Sequence, residues 1–353
     1  MNEPKICSVC GAVIPEGDER LFDDEIYCEH CLNERTVICE CCGTRILFEN
    51  AVDERICERC YNEHCCRCEI CGRVMYSDDA NYSDGLPYCD DCYDRNHHEF
   101  IEEYDYKPTP IFYGEGQPHY GVELEIDCGG EYDSSAEDFD EIANKHCTHL
   151  YFKHDGSLDD GIEIVSHPAT LDYHLHNIPW AEVMQRAREL KYLSHTARTC
   201  GLHVHINRAA LGDSVDEQEN TIGRIVFFFE KFWDNILRFS RRTEGQANRW
   251  AARYGGVIEN PKETLKNAKT AGLGRYTAVN LENTFTIELR IFRGTLRYET
   301  FVATLQFVDK LCHDAIELSD EEFQTMTWND FVKSIKDMPA LTEYLKIRGL
   351  GVA

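Results

Sequence analysis

Basic residues are what this chain is shortest of: 36 Lys and Arg stand against 64 Asp and Glu in 353 residues, a formal charge of −28 at pH 7. So acidic a chain repels phosphate backbones, which argues against general DNA or RNA binding. Stripes of aromatic and cationic residues that would suggest nucleic acid are also missing. Long apolar runs are lacking too. The greasiest, "IVFFFEKFW", is broken by Glu230 and Lys231 and is too short to span a bilayer. The opening residues have no basic start followed by an apolar core, so no signal peptide is expected and the cytoplasm is the expected compartment. With 42% hydrophobic residues, the chain has material for a globular core.

Cysteine, by contrast, is abundant and unevenly placed. Of 19 cysteines, all but Cys128, Cys147, Cys200 and Cys312 precede residue 93, and those four read as buried small residues. Without a secretion signal, such usage favours metal-bound or reduced thiols over a disulfide framework. Three segments repeat, beginning at Cys7, Cys39 and Cys68, each with a CxxC pair followed by glycine and a second CxxC pair. Paired thiolates on two tight turns make four ligands for one tetrahedral Zn²⁺. The expected sets are Cys7, Cys10, Cys28 and Cys31; Cys39, Cys42, Cys57 and Cys60; and Cys68, Cys71, Cys89 and Cys92. Cys41, Cys65 and Cys66 are spare, and His30 and His64 are alternative ligands. Gly11, Gly43 and Gly72 stand where such a knuckle needs a positive φ. A unit this small buries too little surface to fold alone, and bound zinc contributes about 10–16 kcal/mol. Four thiolates close the coordination sphere, so the expected role is structural. The modules resemble zinc-ribbon or LIM-like adaptors, which implies a protein partner. The polar, proline-containing stretch from Asp94 to Pro118 reads as a linker. The expected plan is residues 1–97 as zinc modules, 98–118 as linker and 119–353 as a catalytic domain.

In that second half, three segments alternate strictly. "YGVELEID" puts Glu123 and Glu125 on one face, "GLHVHIN" does the same with His203 and His205, and "FTIELRIFRGT" with Glu288 and Arg290. Because successive strand residues point to opposite faces, Val122, Leu124, Ile126, Leu202, Val204, Ile206, Ile287, Leu289 and Ile291 form the other side. An ordinary solvated face would mix Lys, Thr, Ser and Gln among the charges. These positions instead hold metal- and phosphate-ligand types. "KHDGSLDDGIEIVSHP" predicts a turn near Asp155 and Ser157, then a short strand carrying Glu163. Clustered carboxylates need cations among them, and oxygen-rich ligation favours Mg²⁺ or Mn²⁺. Arginine beside such ions suggests a nucleotide triphosphate. Long amphipathic helices are expected over 214–242 and 298–319 and a shorter one over 327–335, which makes the class α+β.

"GVELEI", "DGSLDDGIEIVSHP", "GLHVHI", "RYTAVNL" and "IELRIFRGT" together resemble, in order, the motif series of the amidoligase family, over roughly residues 120–301. That family belongs to the carboxylate–amine ligases. The resemblance implies a glutamine-synthetase-like curved antiparallel sheet with helices, holding ATP and Mg²⁺. It implies Glu123, Glu125, Glu163, His203 and Glu288 as metal ligands, with His205 and Arg290 on the phosphates. Arg275 and Asn280 would meet substrate or phosphate, with Lys153, Arg293 and the segment 241–255 as further candidates. The implied reaction activates a carboxylate as an acyl phosphate and joins it to a small amine or amino acid, with the zinc modules recruiting a protein or peptide substrate. No nucleic acid or membrane partner is expected. Two alternatives remain open: a metal-dependent hydrolase, because HxH on a strand also opens amidohydrolase sites, and a non-catalytic adaptor.

Overall fold

The structure, a computed structural model, describes residues 4–83, 85–97, 100–256 and 259–351, with residues 94–97 described in backbone only. It divides into two compact units, Met1–His98 and Glu99–Ala353. The expected boundary after residue 97 falls beside His98 and Glu99, which lie outside the described residues.

The first unit repeats one plan. A two-stranded hairpin leads into a short helix: Arg20–Phe22 and Glu25–Tyr27 before Glu29–Arg35, Ala51–Val52 and Ile56–Cys57 before Glu58–His64, and Asn81–Ser83 and Leu86–Tyr88 before Asp90–His97. Cys28 and Cys57 cap their helices, each thiol accepting the backbone N–H three residues on. Gly11, Gly43 and Gly72 have φ of 70°, 71° and 71°, the left-handed turn that the repeat predicts.

The second unit is α+β. Its seven strands are β1 (Ile101–Glu102), β2 (Tyr120–Ile126), β3 (Leu150–Lys153), β4 (Ile162–Ser166), β5 (Gly201–Asn207), β6 (Val279–Asn280) and β7 (Thr286–Arg293), in the spatial order β1-β3-β4-β2-β5-β7-β6. Neighbours pair antiparallel except β1 with β3, so the sheet is mixed rather than the all-antiparallel one expected. The parallel pair arises from Ile101 and Glu102, inside the stretch expected to be linker.

Two-residue periodicity divides the sheet's faces as the alternation predicts. Tyr120, Val122, Leu124 and Ile126 of β2 and Leu202, Val204 and Ile206 of β5 are fully buried, in one core with the helices α1 (Asp133–Ala143), α2 (Trp180–Glu189), α3 (Val215–Lys231), α4 (Trp233–Ser240) and α5 (Tyr298–Glu317). The expected helix over 214–242 is two helices, α3 and α4, because Phe232 leaves helical geometry (φ −107°, ψ 30°) and closes α3 through its N–H to Phe228. Ser214 caps α3 with a capping box to Glu217. Of the four scattered cysteines, Cys200 and Cys312 are buried as expected, whereas Cys128 and Cys147 are exposed. No helix among the described residues is long and apolar enough to cross a membrane.

Candidate metal centres and active site

The twelve expected cysteines form three tetrads, each with its four sulfurs within 4.8 Å of one another. Zinc–sulfur bonds of about 2.3 Å in a tetrahedron place neighbouring sulfurs about 3.8 Å apart. The Sγ–Sγ distances Cys10–Cys28, Cys42–Cys57 and Cys71–Cys89 are 3.9, 3.9 and 3.7 Å. The donor sets and spacing are thus compatible with structural zinc. Packing four thiols together drives their acidities apart. Backbone N–H groups of Cys10 and Cys28 bring Cys7 down to about 6, whereas Cys31, hydrogen-bonded to the Cys28 thiol and buried, rises to about 12. Cys68 and Cys92 diverge in the same way, to about 6 and about 12. A bound dication removes that conflict by holding all four as thiolates. Cys41, Cys65 and Cys66 stand outside the tetrads, while His30 and His64 lie 3.6 and 3.7 Å from Glu34 and Glu63.

On the sheet, strand register assembles the other candidates. Glu123 lies opposite His203, Glu125 opposite Glu163, Glu163 opposite Lys153, His205 opposite Glu288, and Glu288 opposite Asn280. One polar face therefore runs across six strands. His203 is its hub. Its Nδ1 lies 3.2 Å from Glu123 and 3.6 Å from Glu288, and its Nε2 lies 3.6 Å from Glu125. Two groups with metal-ligand spacing share this ring: Glu123, His203 and Glu288, and Glu125, Glu163 and His203. Glu125, Glu163, His203 and Glu288 are all buried.

Electrostatics at this face are costly. Burial, reinforced by Glu123 and Glu125, pushes the Glu163 carboxyl well above its ordinary value, although Lys153 Nζ stands 3.7 Å away. Burial likewise raises Glu125, against the pull of His203. At Glu123 burial is outweighed by His205 and His203, which hold the carboxyl well below the usual range. His205, 2.9 Å from Glu123, is raised to about 9: burial opposes its charge, and Glu123 outweighs burial. The buried Nε2, though ion-paired with Glu123, makes no aligned hydrogen bond. The buried Nε of Arg290, whose Nη1 donates to Glu288, makes none either. These are donors set for an anion on a face otherwise lined with acid.

Asn280, expected to meet substrate, donates instead to Glu288 at 2.8 Å and fixes that carboxylate. Arg275 is exposed and donates to Tyr104 Oη (2.5 Å) and Tyr276 Oη (3.0 Å). The Tyr276 ring lies 5.9 Å from Arg290, and the Tyr104 ring 5.4 Å from Lys153. A chain of two tyrosines and three cations thus crosses this face. Tyr104 was missed because it sits in the expected linker, where its single aromatic ring carries no periodic signal. Gly201 was missed too. A Cβ there would come 2.5 Å from His203 Nε2 and 3.0 Å from Arg242 Nη2, so the glycine makes room for both side chains. Its N–H also donates to Glu125. Within the segment 241–255, Arg242 is buried with its guanidinium on the carbonyls of Ile291 and Phe292, and Arg253 pairs with Glu230 at 3.2 Å.

Between the pairs Leu202–Phe292 and Val204–Leu289, β5 has one residue and β7 has two. This bulge resets the alternation, so Arg293, opposite Gly201, returns to the face of Glu288 and Arg290.

No curated protein matches the chain. Among solved structures, a bifunctional glutathione synthetase from Pasteurella multocida is similar at 13% identity and a TM-score of 0.34, covering 66% of this chain. The chain spans 44% of that protein. The sequence comparison bears directly on the sheet: residues 138–312, which carry Glu163, His203, His205, Arg275, Asn280, Glu288, Arg290 and Arg293, match the family described as "Putative amidoligase enzyme", the one that the strand motifs resemble.

Proposed function

We propose that the second unit is an ATP-dependent carboxylate–amine ligase, with a glutamine-synthetase-like use of the sheet, and that the zinc modules recruit its protein or peptide substrate. The family match supports a ligase in general terms. The observation that carries the finer reading is the buried carboxylate–histidine face with the unbonded Nε of Arg290 on it, beside the ion-paired His205.

Glu123, His203 and Glu288 would hold one divalent ion, and Glu125, Glu163 and His203 another. Bound Mg²⁺ or Mn²⁺ would neutralise the carboxylates and withdraw charge from phosphate oxygens. Arg290 is the phosphate clamp, its free Nε directed at an oxyanion. His205 is a second donor beside it. Asn280 orients Glu288. Lys153 and Arg275, bridged through Tyr104, meet the outer part of nucleotide or substrate.

A substrate carboxylate oxygen attacks the γ-phosphorus, the bond to the β-phosphate oxygen breaks, and ADP leaves. The amine nitrogen then attacks the acyl carbon. Phosphate departs with the former carboxylate oxygen, and the amine loses a proton to solvent. Burial of the face keeps water from the acyl phosphate. The product is an amide or isopeptide bond to a small amine or amino acid.

Calorimetric titration of ATP into the full chain, with zinc retained and with or without Mg²⁺, tests this. Mg²⁺-dependent binding that Glu288→Ala abolishes is expected. Absence of nucleotide binding with either Mg²⁺ or Mn²⁺ overturns the proposal.

A further inference from the structure

Beyond the Gly201 end of the carboxylate face, where Arg293 stands, the second unit contains a cavity of 520 Å³ lined by Arg188, Arg241, Arg293, Arg297, Arg348 and His195 and, among the described residues, by no acidic side chain. In a chain with 64 acidic and 36 basic residues, that composition is unexpected. Four arginines elsewhere in this unit pair with carboxylates: Arg186 with Asp138, Arg224 with Asp320, Arg253 with Glu230 and Arg290 with Glu288. Others, such as Arg208 and Arg242, rest on backbone carbonyls but lie outside this cavity. Among the described residues, none of the five in the cavity has a carboxylate oxygen within 4.0 Å.

Neutral backbone carbonyls hold most of them instead. Arg188 donates to Leu296 and Arg241 to Arg293 and Gly294. Arg348 donates twice to Arg238, at 3.1 and 2.7 Å. These bonds aim guanidinium groups without cancelling their charge. The Nε of Arg293 is buried with no partner. His195 completes the set. Its Nδ1 lies 2.8 Å from Arg241 Nη1, which can only donate, so Nδ1 accepts and Nε2 carries the proton. Burial, then Arg241, Arg293 and Arg348, push this imidazole down to about 4, so it remains a neutral donor. Like charges gathered in one concave site, most of them held by carbonyls and none paired with a carboxylate, are complementary to an anion with several oxygens.

We propose that this cavity is a binding site for a small polyanion carrying two or more phosphate or carboxylate groups, distinct from the proposed metal ligands. Arg293, expected among the nucleotide contacts, serves this pocket. The inference goes beyond the proposed ligase site and does not need it: none of Glu123, Glu125, Glu163, His203 and Glu288 lines the cavity.

The test is calorimetry on the full, zinc-loaded chain in buffer without added Mg²⁺ or Mn²⁺, at constant ionic strength. Pyrophosphate is titrated in one arm and succinate in the other, which separates a ligand with two phosphates from a dicarboxylate. One site is expected, saturable by at least one probe. Arg297→Gln and Arg348→Gln each weaken binding about tenfold, as the loss of a charge-assisted hydrogen bond predicts. Arg55→Gln, on the zinc unit, leaves binding unchanged, and so does Glu288→Gln, which separates this outcome from failure of the ligase reading. No binding of either probe above a sodium chloride control overturns the proposal. So does binding that survives Arg293→Gln and the double Arg297→Gln, Arg348→Gln variant.

Discussion

Glu163→Gln separates a carboxylate kept for ligation from one kept for stability. The ligand atoms of Glu125, Glu163 and His203 lie within 4.8 Å of one another. At an effective dielectric of about 20, two ionised carboxylates at that range repel by about 3 kcal/mol. Lys153 attracts Glu163 from 3.7 Å, but burial and the neighbouring carboxylates prevail and raise its pKa. A raised carboxyl pKa favours the folded state below the unfolded-state value of about 4.3, and that advantage is lost as pH climbs through the folded value. Without Mn²⁺, the glutamine variant should therefore match wild type in acid and gain on it as pH rises. Ligation predicts the reverse with metal. Mn²⁺ at about 100 times its dissociation constant stabilises by about 2.7 kcal/mol, or roughly 5–10 °C for a unit of this size. Losing a charged ligand should cut that increment to about 1 °C. Thermal scans of both proteins, dialysed free of Mn²⁺ and then reloaded, measure both effects. A Mn²⁺-free variant melting more than about 5 °C below wild type would show a structural carboxylate, and an undiminished Mn²⁺ increment would show that Glu163 is no ligand.

Strong chelation should remove three zinc ions per chain, read by a colorimetric zinc indicator. The far-UV signal of residues 4–97 should collapse while the melting transition of the second unit persists, because each module buries few apolar side chains, such as Ile14, Tyr27 and Leu32 in the first. Gly201→Ala should destabilise the second unit by about 1–3 kcal/mol, since the added methyl meets His203 and Arg242 in a packed site. It should also weaken Mn²⁺ binding by displacing the shared imidazole. An unchanged Mn²⁺ isotherm would refute that placement of His203.

Legibility in the sequence followed periodicity. Strands β2 and β5 alternate over seven residues and β7 over its first six, enough to place Glu123, Glu125, His203, His205, Glu288 and Arg290 on one side. Repeated CxxC pairs likewise specified the three tetrads, because ligand spacing is local. What escaped depends on pairing between distant segments. Ile101–Glu102 is too short to show a pattern and becomes a strand only by joining β3. The adjacent apolar pair Ile291 and Phe292 marks the bulge, yet without a partner strand it reads as a slip in the alternation. The arginine cavity left no motif, since its residues come from separate stretches between 188 and 348.

Asp127, at the end of β2 that carries Glu125, joins segments distant in sequence. Fully buried, it accepts backbone N–H groups from Cys128 at 2.7 Å, Asp159 at 3.1 Å and Asp160 at 2.8 Å, and the hydroxyl of Thr199 at 2.5 Å. Asp160 leads into β4 with Glu163, and Thr199 leads into β5 with His203. One carboxylate therefore ties together the starts of the two strands that flank its own. Burial opposes its charge, but the bonds from Thr199, Asp160, Asp159 and Cys128 outweigh burial and depress its pKa. A depressed carboxylate pKa contributes stability above the unfolded value of about 3.9, and that contribution is lost as pH falls through the folded value. Asp127→Asn keeps the shape but turns an amide donor toward N–H groups that need an acceptor. Losing charge-assisted bonds in a buried site should cost about 2–4 kcal/mol at neutral pH. The difference from wild type should vanish in strong acid, and Mn²⁺ affinity should fall with stability because Glu163 and His203 lose their common anchor. A variant melting within about 2 °C of wild type at pH 7 would mean that the loops hold their register without this carboxylate.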